Sequence, residues 1–191
     1  MGVVYAVTRP FGAEAQAGFG IGGRVMQAGF MPAVAISFSV ATVVGQNFGS
    51  RHYDRVREVL RESAKLTIGF MLLFTLLCHV APAALVRGFS DDTTVIDVGA
   101  DYLRTVSYNY VASGLIFVIA GIFQGLGNTW PSLMASGARA TLFVVPVLWL
   151  SRRPGFELHT IWIVSVASVT FQMVACIFLL RRELAIKAPV R

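Results

Sequence analysis

The sequence predicts an all-α integral membrane protein, and three observations carry that prediction. Hydrophobic residues make up 55% of the 191 and charged residues only 14%, with a mean hydropathy of +0.68; a soluble domain of this size could not bury so much apolar surface. The apolar residues gather into runs of about 20 or more, enough for a helix rising 1.5 Å per residue to cross about 30 Å of hydrocarbon. No ten-residue alternating segments appear, which removes the closed barrel, the other backbone arrangement that lipid tolerates.

The first eleven residues hold one short apolar piece, Gly2 to Val7, too short to span a bilayer. They lack the charged, apolar and small-residue order of a signal peptide. The first span is expected at about 18–45. It carries Gly29, Ala33, Ser37, Ala41 and Gly45 at intervals of four, a stripe of small residues that lets a second backbone approach closely. Pro32 removes one donor and frees the carbonyl of Ala28, so a bend is expected there. The span ends in Val44-Gly45-Gln46-Asn47-Phe48-Gly49, where the apolar run gives way to a basic segment.

That segment pairs opposite charges at helical spacing, Asp54 with Arg57, Arg55 with Glu58, Glu58 with Arg61 and Glu62 with Lys65. Val56, Val59 and Leu60 fall on one side, the pattern of a helix lying on the membrane surface or of a solvated connector. The second span is expected at about 64–86. The connection from Arg87 to Asp101 carries Asp91, Asp92, Asp97 and Asp101 and suits the opposite face. The third span, about 102–123, leads to a glycine-rich turn ending at Pro131; the fourth, about 132–150, contains Pro146; the fifth runs over about 160–180. Nine Lys and Arg then fall in the segment 51–65 and the tail, against Arg9, Arg87, Arg152 and Arg153 on the other side, which places residues 51–65 and the tail in the cytoplasm.

The net charge of +6 does not point to nucleic acid, because the basic residues mark the ends of apolar runs instead of forming one face. Gly18-Phe19-Gly20-Ile21-Gly22-Gly23 matches a dinucleotide-binding pattern in letters alone, since no strand precedes it and no acid follows at the required distance. His52, His79 and His159 are isolated, and no metal-hydrolase, phosphate-loop or nucleophile-elbow motif is present, so an enzyme is not expected. Cys78 and Cys176 each lie within an apolar run, with no disulfide or zinc spacing. No metal ligand set and no cofactor are expected.

The polar residues inside the spans are Arg24 and Gln27, Tyr108, Asn109 and Ser113, Arg139, and Gln172. Each calls for a partner or a water-filled space, since hydrocarbon solvates none of them. Arg24 suits snorkelling to the headgroups as well as a cavity, and Arg139 is read as an anchor near the cytoplasmic edge. No Asp or Glu lies mid-membrane, so a carboxylate cation site is not expected in this chain.

Two motifs together resemble the C-terminal half of the multidrug and toxic compound extrusion (MATE) transporters. They are Gly45, Gln46, Asn47 and Gly49 at the end of the first span, and Gly121, Gln124, Gly125, Gly127 and Asn128 at the end of the third. The resemblance runs from about Phe11 to Leu180. It implies one lobe of a twelve-helix fold, with residues 1–11 the end of a truncated helix, residues 12–183 the lobe and residues 184–191 a cytoplasmic tail. It also implies a multi-pass protein of a bacterial inner membrane that exports drugs, organic cations or metabolites in exchange for Na+ or H+, with membrane lipid and a missing N-terminal lobe as partners. Gln27, Tyr108, Asn109 and Ser113 are the candidate cavity contacts. One branch of the family carries an acidic residue where this chain has Ser113, so ion coupling through this lobe is not expected. Two alternatives stay open, a lipid-linked precursor flippase of the same superfamily and a non-transporting scaffold or degenerate half-transporter.

Overall fold

The computed structural model describes residues 12–151 and 158–187. The expected helix end in residues 1–11 and most of the connection before the last span lie outside the described residues. Within them the chain forms α1 (Ala13–Gly49), α2 (Tyr53–Val80), a short α3 (Pro82–Arg87), α4 (Thr93–Val106), a 3-10 turn (Ser107–Asn109), α5 (Tyr110–Gly125), α6 (Trp130–Leu150) and α7 (Leu158–Lys187). Five helical stretches, Gln16–Gly49, Tyr53–Val80, Thr93–Gly125, Trp130–Leu150 and Thr160–Lys187, are long and apolar enough to cross a membrane. Among the described residues no strand occurs.

Several boundaries differ from the expected ones for identifiable reasons. The charged segment after Gly49 is not a separate surface helix. It forms the first turns of α2, because nothing breaks the helix between Tyr53 and Val80. Three of its ion pairs are formed, Arg55–Glu58 at 3.1 Å, Arg57–Asp54 at 4.0 Å and Lys65–Glu62 at 2.7 Å. Glu58 takes Arg55 as its partner in place of Arg61. The second span stops at Val80 instead of Val86, because Ala81 precedes Pro82 and leaves the helical region, at φ −135 and ψ 46. The acidic connection is partly helical. The Asp92 carboxylate caps α4 by accepting from the backbone N–H of Thr94 at 2.8 Å and of Val95 at 3.2 Å. The last helix continues to Lys187, into the expected tail.

The long helix α1 organises the bundle, packing chiefly on α4 and α5 and also on α2. Its small-residue stripe faces its neighbours. Ala33 is fully buried, a Cβ on Gly29 would overlap the ring of Phe74, and a Cβ on Gly45 would lie 3.6 Å from the carbonyl oxygen of Gly125. The Ser37 hydroxyl donates to the Phe117 carbonyl at 2.6 Å, fixing α1 to α5. Pro32 and Pro146 are accommodated within continuous helices.

Two apolar clusters form the core. One centres on Val44, Val56, Ile122, Phe123 and Leu126. The other surrounds Phe19, Tyr102, Tyr110 and Trp162. The sixth helix rests mainly on α7 and hardly touches α5, so a gap opens between it and the α1–α5 wall.

Candidate functional site

That gap is a cavity of about 820 Å³ walled by α1, α4, the 3-10 turn, α5, α6 and α7. Its size lies within the range of sites that enclose small organic molecules, about 300–1,000 Å³. One end is aromatic. Phe19 stacks on Trp162 with centroids 5.6 Å apart, and Tyr102 meets the face of Trp162 at 4.9 Å in a T-shaped arrangement. Further along, Phe30 meets Tyr110 edge to face at 5.3 Å. These rings supply broad apolar surface with polar edges, suited to a flat amphipathic molecule.

The polar part of the lining comes from several helices. Gln27 projects from α1, Asn109 from the 3-10 turn, Ser113 from α5, Ser136 and Arg139 from α6, and Gln172 from α7. Gln172 Nε2 donates to Ser136 Oγ at 3.1 Å, joining α6 to α7. Asn109 Nδ2, Trp162 Nε1 and Gln172 Oε1 are buried without a hydrogen-bond partner. Such groups cost roughly 1–3 kcal/mol each when left unmade, so they are poised for water or for a bound solute.

Of the four expected cavity contacts, the structure brings Gln27, Asn109 and Ser113 to the lining. Tyr108 lies elsewhere. It is 70% exposed and packs its ring against His79, with centroids 4.9 Å apart. Successive residues in a 3-10 turn point about 120° apart, so Tyr108 cannot share the direction of Asn109. The 3-10 turn that carries both is held from α2, where Thr75 Oγ1 donates to the Ser107 carbonyl at 3.1 Å. No glycine or proline marks this turn, which is why it is not legible in the sequence.

Arg139, expected as an anchor, also reaches the cavity. It sits near the middle of the 21-residue α6 and borders the cavity. Tyr110 and Trp162 were not expected in the lining at all. Nothing in their local sequence separates a cavity aromatic from a packing one.

The family motifs lie away from this cavity and serve packing. Gly121 presses against the backbone of Ser37, and Gly125 against Ala41 and Val44. Both α1 and α5 end in the same double-bonded cap. His52 N–H donates to Asn47 O at 2.9 Å and Arg51 N–H to Phe48 O at 3.0 Å; Asn128 N–H donates to Phe123 O at 3.0 Å and Gly127 N–H to Gln124 O at 3.1 Å. The left-handed residue is Arg51, at φ 60, in the first cap and Gly127, at φ 70, in the second. Asn128 then donates to Glu183 on α7 at 2.8 Å. The Gln46 side chain is exposed.

The sequence profile of the MatE family matches residues 1–150. The chain belongs to the MatE family. Its relatives include a probable multidrug resistance protein NorM from Thermotoga maritima, 27% identical over 84% of this chain and 35% of that protein. A FAD transporter from Shewanella oneidensis is 23% identical over 76% of this chain and 32% of that protein. Among solved structures, an inward-facing multidrug resistance MATE family transporter superposes with a TM-score of 0.74 at 15% identity, over 87% of this chain and 39% of that one. The chain therefore spans about a third of the length of these relatives, and the fold it shares with the solved transporter is that of one part of a multi-pass MatE membrane protein.

Proposed function

We propose that this MatE chain is the C-terminal lobe of an exporter of amphipathic organic solutes in a bacterial inner membrane, with residues 51–65 on the cytoplasmic side and Na+ or H+ influx as the driving force. The observation that carries the reading is the aromatic cavity of about 820 Å³ between α1, α5, α6 and α7, whose buried polar groups at Asn109, Trp162 and Gln172 await partners. A static scaffold would gain from filling such a space with apolar side chains, since unmade polar groups and voids both destabilise.

Among the described residues, those that line the cavity include no carboxylate, and Ser113 stands where one branch of the family has an acid. The coupling carboxylate then belongs to the complementary lobe. This chain contributes the solute wall, and the two together make the transporter.

The test is saturable quenching of tryptophan fluorescence in the purified chain by rhodamine B, a zwitterionic aromatic dye. Binding is expected to saturate and to be weakened in Ser113→Phe, which adds bulk to the α5 wall of the cavity without removing the buried groups of Asn109, Trp162 or Gln172. Gradient-driven dye transport in vesicles is expected only when the complementary lobe is supplied. Non-saturating quenching, or transport by this chain alone, would sink the proposal.

A further inference from the structure

The geometry points to an anionic group on the solute this cavity accepts, bound at Arg139. The inference rests on the cavity being a solute site and concerns its charge preference. Among the described residues, Arg139 is the only charged side chain in the lining, and it makes no ion pair there. It stands near the middle of the membrane-spanning α6. There, leaving a guanidinium in hydrocarbon costs roughly 2.5–3.5 kcal/mol or more, and side chains of this kind face a partner or a wet cavity.

The neutral lining points the same way. Two of its unpartnered buried groups are N–H donors, Asn109 Nδ2 and Trp162 Nε1, on residues only 3% and 2% exposed. Against them stand one unpartnered acceptor, Gln172 Oε1, and the Tyr110 hydroxyl, which can donate or accept. A donor-rich cavity with one guanidinium complements a ligand rich in acceptors, such as a carboxylate, sulfonate or phosphate joined to an aromatic body. An organic cation would meet the repulsion of Arg139 with no carboxylate among the lining residues to offset it.

The test uses two probes of matched size and opposite charge, 2-naphthalenesulfonate and 2-naphthylmethylammonium. Each is titrated against the purified full chain in uncharged maltoside micelles, following tryptophan fluorescence. The sulfonate is expected to bind at least about tenfold more tightly than the ammonium. Arg139→Gln is expected to abolish that preference, while Arg139→Lys, which keeps the charge, retains most of it and shows that the fold tolerates substitution here. Equal affinities, a preference for the ammonium, or a sulfonate affinity unchanged in Arg139→Gln would overturn the anion assignment and leave the solute cavity standing. Binding of neither probe would overturn both. In phosphatidylcholine discs, displacement of the sulfonate by added phosphatidylglycerol would reassign the anion site to a lipid headgroup and overturn the solute assignment; persistence of sulfonate binding supports it.

Discussion

Gly125 of α5 lies against Ala41 of α1 so closely that a Cβ at residue 125 would sit 2.7 Å from the Ala41 carbonyl oxygen. Gly121, one turn earlier, abuts the backbone of Ser37 in the same way. The two glycine motifs, far apart in sequence, are thus the two halves of one helix crossing. Backbone cannot yield as a flexible side chain can, so Gly125→Ala is expected to destabilise the lobe by about 1–3 kcal/mol. Thermal unfolding in detergent, read by circular dichroism, checks this. Gly137→Ala is the control, because nothing lies within 4 Å of its Cβ position; in mid-helix it should stabilise by roughly 0.5–1 kcal/mol.

Arg51 holds a left-handed conformation at φ 60 as the residue that closes the α1 cap. An L side chain there costs roughly 1–2 kcal/mol that glycine does not. Arg51→Gly should therefore raise the unfolding temperature, whereas Gly127→Ala, at φ 70 in the equivalent cap of α5, should lower it. Finding the two shifts with the same sign would contradict the cap assignment.

Asn128, Glu183 and Lys187 form a connected group. Asn128 donates to Glu183 at 2.8 Å, Lys187 lies 2.9 Å from the same carboxylate, and Lys187 Nζ also donates to the Leu126 carbonyl at 3.1 Å. It ties the end of α5 to α7. Losing the amide in Asn128→Ala is expected to cost about 1–2 kcal/mol, and a double-mutant cycle with Glu183→Gln should give a coupling of at least about 0.5 kcal/mol. Strict additivity would mean the contact contributes nothing.

Neighbours in sequence, Tyr108 and Asn109 should behave oppositely toward solute. Tyr108→Phe, on the far side of the helix from the cavity, is expected to leave rhodamine B affinity within about twofold. Asn109→Leu removes a buried donor from the lining and should weaken binding roughly five- to thirtyfold, the equivalent of about 1–2 kcal/mol. A larger effect at Tyr108 than at Asn109 would place the site elsewhere.

Membrane crossing, the all-helical class and the chain order of the spans were legible because they depend on run length and on the backbone's need for internal hydrogen bonds in lipid. The stripe from Gly29 to Gly45 announced a close helix crossing. The glycine motifs identified the family, and Pro131 marked the first turn of α6. Helix ends were less legible. Asp54 to Lys65 reads as a surface helix because its charges satisfy that pattern equally well when they simply extend a span into water.

Which polar side chains meet was decided by three-dimensional packing. Asn109 and Ser113 share a helix face, but their encounter with Gln27, Arg139 and Gln172 depends on α6 standing away from α5. The direction of Tyr108 depends on a 3-10 turn held by Thr75 from another helix. Hydrophobic runs and motif spacings are properties of local chain and can be read in order. A cavity is the space left where helices fail to touch, and its lining depends on how every wall is rotated and offset against the others.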